Sequence, residues 1–136
     1  MTMQHDAKDP RVTLTDDPTR HHEVYVTAFN TGDVNAVEQV YEDHAVLVPA
    51  PGRPMTGPAR AAATRHLLGM GLPIEARPRH VYVSGDIALL IVDWTIHGTT
   101  PDGTDVHLVG TATDVARRGP DGLWRYVIDN PFGTAA

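Results

Sequence analysis

The residues best suited to chemistry lie near the end of the chain, in residues 124–133. Trp124, Tyr126, Ile128 and Asn130 recur at every second position, and this period predicts a β-strand with all four on one face. Three of the side chains are bulky and apolar and the fourth is an amide, a combination typical of a pocket wall with one hydrogen-bonding group. Asn130 can bind a ligand carbonyl or hydroxyl, or it can tie the strand end to the turn that follows. The segment indicates a ligand cavity more strongly than a reaction.

Two earlier strands add further candidates. In the strand predicted for residues 87–97, Trp94 lies on one face and Asp93 on the other. If the face of Trp94 lines the cavity, Asp93 belongs to a surface network or a subunit interface rather than to a catalytic site. The strand at 105–116 has two plausible inner faces, and alternation alone does not choose between them. One choice makes His107 a candidate general base in the cavity, and the other leaves it on the solvent side.

Tyr25 and Phe29 form another candidate pair, one turn apart on the first predicted helix. They line a pocket or fill the core between helix and sheet. In either case a buried tyrosine hydroxyl needs a hydrogen-bond partner. Tyr25 is therefore a candidate donor to a ligand oxygen.

Composition argues against several classes of partner. The chain has 136 residues, enough for one domain with a sizeable core or an internal cavity. Its 11 basic and 17 acidic residues give a net charge of −6 without a basic block, which argues against nucleic-acid and anionic-membrane partners. The absence of cysteine excludes disulfides and thiolate chemistry. Without a secretory signal or an apolar run near the ~20 residues of a spanning helix, the sequence predicts a soluble, cytoplasmic protein.

The eight histidines do not follow a metal-binding pattern. None of them forms a His-x-x-x-His or His-Glu-x-x-His pair, and no carboxylate cluster accompanies them. The sequence also lacks a phosphate loop, a dinucleotide fingerprint and a nucleophile elbow. We therefore predict neither a metal nor a cofactor.

The order of the predicted elements indicates an α+β fold with three helices early and an antiparallel sheet late. Residues 1–15 contain few apolar side chains and predict a flexible tail, so that residues 16–134 form the single domain. The elements are a helix capped by Asp17 that ends at 30–32, a helix capped by Asp33 that ends near Asp43, a strand at 45–48 with a short edge strand at 53–55, a helix from 57 to 68, and four strands at 74–83, 87–97, 105–116 and 124–130.

This order is accompanied by YVTAFNTGD at residues 25–33, AVLVP at 45–49 and MTG at 55–57. Together they resemble the cone-shaped NTF2-like superfamily, which includes ketosteroid isomerase, the SnoaL-type polyketide cyclases and limonene epoxide hydrolase. The ending IDNPFG at 128–133 is most similar to the SgcJ/EcaC-type proteins of enediyne antibiotic gene clusters. The resemblance implies a cone of three helices packed on a curved, mostly antiparallel sheet, and its functions range from isomerases to plain binding modules.

The resemblance also suggests roles for single residues. Tyr25 matches the helix-one tyrosine that donates a hydrogen bond to a developing oxyanion in ketosteroid isomerase. Pro49 stands where that isomerase has its proton-shuttling Asp, and no Arg lies two residues from Asp93 as in the epoxide hydrolase. Both differences argue against those two reactions.

These observations lead to a prediction of function. We expect a homodimeric tailoring or accessory protein of enediyne or polyketide biosynthesis, which binds a hydrophobic polyene or polyketide and promotes its isomerisation or cyclisation. The alternatives are a binding protein without turnover and a scaffold that acts through its dimer surface, with a polyketide synthase as partner. The predicted catalytic residues are Tyr25, Asn130 and His107, and the predicted ligand contacts are Tyr25, Phe29, Trp94, Tyr126, Ile128 and Asn130.

Overall fold

The computed structural model describes residues 11–136, in which three helices and five strands follow one another. None of these helices is long and apolar enough to cross a lipid bilayer. A 3₁₀ turn at Pro18–Arg20 leads into α1 (His21–Asn30), followed by α2 (Val34–Glu38), β1 (Tyr41–Leu47), α3 (Gly57–Leu68), β2 (Ile74–Ser84), β3 (Ile87–Thr99), β4 (Asp105–Arg118) and β5 (Trp124–Asp129).

Both predicted capping residues make their hydrogen bonds, but Asp17 caps the 3₁₀ turn that leads into α1 rather than α1 itself, whereas Asp33 caps α2 directly. The Asp17 carboxylate accepts a hydrogen bond from the Thr19 amide at 3.0 Å, and the Asp33 carboxylate accepts one from the Asn35 amide at 2.8 Å. The predicted end of the second helix near residue 43 is wrong, because Tyr41 already belongs to β1 and pairs with β5. Tertiary pairing here overrides the helical spacing of the apolar residues.

The sheet has the order β1-β5-β4-β3-β2. The last four strands form the predicted antiparallel meander, and β1 adds to its edge in parallel with β5. The predicted edge strand at 53–55 is reduced to a single bridge between Met55 and Leu47. With the helices on the inner face of this sheet, the predicted α+β arrangement is confirmed.

The inner faces of β3 and β4 are set by alternation. Leu90, Val92, Trp94 and Ile96 are buried on β3, as predicted. The sequence did not decide which face of β4 points inward. In the structure the inward face is the one that carries Asp114, and His107 is on the opposite face.

An irregularity in β5 changes which side chains point inward. Val115 and Ala116 of β4 pair with Ile128 and Tyr126 of β5, so β5 contains one extra residue between them. Such a bulge reverses the alternation beyond it. Asp129 consequently points into the fold, while Ile128 is 39% exposed on the outer face.

The chain contacts the core before the predicted domain start at residue 16. Val12 and Leu14 pack against the core, and the Thr15 carbonyl accepts a hydrogen bond from the Trp124 amide at 3.0 Å. The rest of the predicted tail, residues 1–10, lies outside the described residues.

Candidate functional site

A cavity of about 340 Å³ lies between the inner face of the sheet, α1 and α3. Its size and its mainly apolar walls are typical of a site for a small organic ligand. The polar side chains that line it are His22, Tyr25, Tyr41, Thr64, His66, Asp114, Tyr126 and Asp129.

Two aspartates form the most unusual feature of this cavity. Asp114 comes from β4 and Asp129 from the end of β5, and they are 4% and 6% exposed. The Asn130 amide donates to the Asp114 carboxyl at 2.8 Å, and the Tyr41 hydroxyl donates to the Asp129 carboxylate at 2.5 Å. The two carboxyl groups are also close enough for a hydrogen bond between them.

Burial controls the protonation of this pair. Burial, and then the neighbouring Asp129 charge, raise the pKa of Asp114 well above its usual range. Burial also raises the pKa of Asp129, but the hydrogen bonds from Tyr41 and Asp114 oppose that rise. Two adjacent carboxyl groups in an apolar site do not both ionise readily. Of the two, Asp114 is the group that burial and the neighbouring charge favour as the acid, and Asp129 is the one whose hydrogen bonds favour the carboxylate.

Three tyrosines surround the pair. The Tyr126 ring lies 5.8 Å from the Tyr41 ring and 5.9 Å from the Tyr25 ring, between centroids. Burial raises the pKa of each hydroxyl well above its usual range, and the aspartate charges add to this. All three tyrosines are thus protonated hydrogen-bond donors at neutral pH.

The guanidinium group of Arg60, on α3, packs over the ring of Tyr41. Its guanidinium carbon lies 4.8 Å from the centroid of the Tyr41 ring. The same guanidinium donates to the Ala45 carbonyl and to the Glu38 carboxylate, each at 2.9 Å. These contacts fix the tyrosine that binds Asp129.

Four of the predicted ligand contacts line the cavity. Tyr25 and Phe29 reach it from α1, Trp94 from β3 and Tyr126 from β5. Their placement agrees with the sequence analysis, and their roles towards a ligand stay predictions. The Trp94 indole also donates to the Pro131 carbonyl at 2.7 Å, which anchors the residues after β5 beneath the cavity.

The predicted placement of Ile128 and Asn130 in the cavity is wrong. The bulge in β5 turns both residues to the outer face, where they line a separate surface depression. The Asn130 side-chain amide donates to the Thr113 hydroxyl at 3.0 Å and to the Gly133 carbonyl at 2.9 Å. The alternative role of Asn130, tying the strand end to its turn, is the one that the contacts support.

His107 also lies on the outer face, directly opposite His97 of β3, with the ring centroids 6.1 Å apart. It is exposed and does not line the cavity, so its predicted role as a base in the cavity is not supported by its position. Asp93 occupies the same face. It accepts hydrogen bonds from Arg79 and Thr111, each at 2.7 Å, in the surface network that we predicted.

The sequence analysis missed Asp114, Asp129 and Tyr41 as members of the site. Asp114 could have been noticed as an acid within an otherwise apolar alternating face, between Ala112 and Ala116. Asp129 could not, because its direction depends on a bulge that leaves no clear mark in the residue pattern.

The site can transfer protons without a metal-binding cluster. Among residues 11–136, no three histidine or acidic side chains come together as metal ligands. A carboxylate, a neutral carboxyl group and tyrosine hydroxyls instead meet in an apolar enclosure. This is a set of groups that can accept a proton from carbon and stabilise the oxygen of an enol.

Comparison with known proteins places the chain in a family. A model of the SnoaL-like domain matches residues 22–127, whereas no curated protein matches the chain. A structure from Thiobacillus denitrificans, provisionally described as a calcium/calmodulin-dependent protein kinase type II association domain, is 25% identical; the match covers 93% of this chain and all of that one, with a TM-score of 0.70.

Two further structures agree in fold. A nuclear transport factor 2 (NTF2-like) superfamily protein from Salmonella enterica is 19% identical over 87% of this chain and 89% of its own, with a TM-score of 0.68. A protein of the NTF2-like family from Streptomyces avermitilis, provisionally described as a dehydratase, is 20% identical over 85% and 93%, with a TM-score of 0.67. These similarities confirm the predicted NTF2-like fold, and the matched residues include most of the cavity. The chain is therefore a member of the SnoaL-like domain family.

Proposed function

We propose that this protein binds a hydrophobic, oxygen-bearing small molecule in its cavity and catalyses a cofactor-independent proton transfer, such as an isomerisation or a cyclisation. The observation that carries the proposal is the buried pair of Asp114 and Asp129 inside an apolar, ligand-sized cavity. A protein does not gain stability from two adjacent buried carboxyl groups, because each must lose its hydration. Buried carboxyl groups with shifted pKa values in a cavity are typical of a functional site.

The reaction that fits these groups begins at a carbon next to a carbonyl. Asp129 as the carboxylate accepts the proton from that carbon, and the carbonyl oxygen becomes an enolate oxygen. Tyr25 and the protonated Asp114 line the same cavity and can donate hydrogen bonds to this oxygen. Each such donor in a dry site lowers the barrier by about 3 kcal/mol. Return of the proton from Asp129 to another carbon of a conjugated enolate completes an isomerisation. For cyclisation, the enolate carbon attacks a second carbonyl, and the alkoxide that forms takes the proton back from Asp129.

The finer identity of the ligand rests on the resemblance together with the cavity walls. Aromatic and aliphatic side chains such as Phe29, Trp94 and Leu108 favour a polyene or an aromatic polyketide over a charged metabolite. The similarity of residues 128–133 to enediyne-cluster proteins supports a polyketide intermediate of that kind. Three of these six residues, Asp129, Pro131 and Phe132, line the cavity.

The activity can be tested with a simple enolisable ketone, 2-tetralone, by following hydrogen–deuterium exchange at its carbon acid in deuterated buffer by NMR. We expect the wild-type protein to accelerate exchange. Asp129→Asn should reduce the rate by at least about 100-fold, because the amide cannot accept the proton. Tyr25→Phe should reduce it by about 100-fold through loss of one donor.

The control is His107→Ala. This change removes the residue that the sequence suggested as a base, and it should leave exchange unchanged because His107 lies on the outer face. Binding of 2-naphthol, which resembles the enol of the ketone, is measured in parallel by calorimetry. Retained binding with lost exchange in the Asp129 and Tyr25 variants supports catalysis. Binding of 2-naphthol by the wild type without any exchange would contradict catalysis and leave a binding protein.

A second candidate function involves the outer face of the sheet. Val109, Ile87, Leu89 and Ile128 are between 37% and 58% exposed there. We propose that this face forms the homodimer, which is also the surface through which a scaffold or a polyketide synthase partner would act. Four partly exposed aliphatic side chains on a continuous sheet face favour this reading.

A further inference from the structure

His22 is a buried polar side chain of the cavity that the proposed proton transfer does not use. It lies in the first turn of α1, is 8% exposed and lines the cavity. His22, Tyr25 and Phe29 follow the helical spacing of three and four residues, so they form one stripe along the cavity wall. His22 is therefore about one helical turn, on the order of 5 Å, from Tyr25 along the helix axis.

The two ring nitrogens of His22 have different surroundings. Nδ1 is enclosed at the start of the helix near the Thr19 carbonyl, without hydrogen-bond geometry to any partner. Nε2 is not enclosed and makes no hydrogen bond to the protein within residues 11–136. Burial lowers the pKa of the ring, which keeps it neutral at neutral pH. With its proton on Nδ1, the neutral ring has its lone pair on Nε2 and can accept a hydrogen bond there.

His22 lines an apolar cavity, and a ligand hydroxyl that displaces water from Nε2 can take the place of a protein partner there. The carboxyl pair does not serve this purpose, since its hydrogen bonds come from Tyr41 and from the Asn130 amide. The cavity thus has two separate polar points, the carboxyl pair with its tyrosines and the His22 Nε2.

We infer that His22 is a ligand-binding residue that accepts a hydrogen bond from a hydroxyl group of the ligand, and that the ligand is an apolar ring compound with two oxygen functions. One oxygen binds at Tyr25 and the carboxyl pair, and the second, a hydroxyl, binds at His22. This inference rests on the proposed function of the cavity and specifies its ligand class.

The test compares 2-naphthol with 2,6- and 2,7-dihydroxynaphthalene, which add a second hydroxyl at two different positions. At least one diol should bind the wild-type protein about tenfold more tightly than 2-naphthol, the gain that one buried hydrogen bond provides. His22→Leu should abolish this gain and leave the affinity for 2-naphthol within about twofold. His66→Leu, which removes another cavity histidine, should retain the gain.

An NMR measurement keeps the test independent of the folding of the variants. In protein labelled with ¹⁵N at histidine, the Nε2 signal of His22 should shift on addition of the diol but not of 2-naphthol. Equal affinities for all three naphthols in the wild type, or a gain that persists in His22→Leu, would overturn the inference while leaving the proposed function intact. Failure of every naphthol to bind would overturn both.

Discussion

At the scale of single residues, His21 is the counterpart of its neighbour His22. It is completely buried, packs edge-to-face on Tyr126 at 4.3 Å between centroids, and neither of its ring nitrogens makes a hydrogen bond. Burial lowers its pKa from 6.5 to about 4, although the nearby Val40 carbonyl opposes the shift. His21 therefore contributes to the pH dependence of folding rather than to ligand binding.

The sign of this contribution follows from proton linkage. The unfolded chain binds a proton at His21 below pH 6.5, whereas the folded chain binds it only near pH 4. Folding stability from this group is therefore complete above pH 6.5 and declines as the pH falls towards 4, by about 3 kcal/mol at most. His21→Phe keeps the ring contact with Tyr126 and should remove this decline, as measured by urea unfolding at several pH values.

Asp114 provides a control of opposite sign. Because its pKa is raised in the folded state, its contribution declines as the pH rises above its usual value of 3.8. Asp114→Asn mimics the protonated form and should remove that second slope without affecting the first. A decline between pH 6.5 and 4 that is equal in wild type and His21→Phe would contradict the assignment to His21.

At the scale of elements, the turn after β5 (residues 130–133) is fixed from both sides. Trp94 donates to its Pro131 carbonyl, and Asn130 bonds across it. Gly110 of β4 permits this arrangement, because a Cβ at that position would lie 2.7 Å from both the Pro131 oxygen and the Trp94 indole nitrogen. The absence of a side chain at Gly110 thus allows the Trp94 indole and the Pro131 carbonyl to pack directly against the backbone of β4.

Gly110→Ala should destabilise the protein by about 1–3 kcal/mol, since either the indole or the turn must move. The loss should be accompanied by a change in tryptophan fluorescence as the hydrogen bond to Pro131 breaks. Gly119→Ala is the matched control, because its nearest contacts are the ends of the flexible Arg125 and Asp121 side chains. Equal unfolding midpoints for wild type and Gly110→Ala would show that the close approach is not required.

The elements also show how far the sequence could predict this site. Capping residues and alternation correctly located α1, the inner face of β3 and four of the cavity residues. They failed at Asn130 and Ile128, because an extra residue in β5 reverses the alternation and turns Asp129 inward. They failed also at Tyr41, because its pairing with Tyr126 depends on a strand far away in the chain. The spacing of residues within one segment predicts neither a bulge nor the pairing of strands that are far apart in the chain.

At the scale of the whole molecule, the two faces of the sheet have different roles. The inner face with the helices encloses the cavity, whereas the outer face carries Val109, 58% exposed, and Ile128, 39% exposed. Exposed aliphatic residues on a sheet face are typical of an interaction surface. The separation means that a substitution on the outer face should leave the cavity residues in place.

Light scattering coupled to gel filtration should give the mass of a dimer for the wild type. Ile128→Glu should shift the protein to the monomer, because a charge would be buried in the interface. Ala59→Lys, on the exposed side of α3, should leave the dimer unchanged. A monomeric wild type, or a dimer that tolerates the glutamate, would argue against this face as the interface.

The parallel pairing of β1 with β5 has a consequence for biosynthesis. β5 is the only strand beside β1 in the sheet of the described residues, and it leaves the ribosome after the other four. A nascent chain that ends before Trp124 therefore exposes one edge of β4 and leaves Tyr41 without Asp129. Because contacts between distant parts of a chain form late, the meander β2–β4 must wait for β5 with that edge unpaired, and an unpaired edge is open to pairing with another chain during that interval.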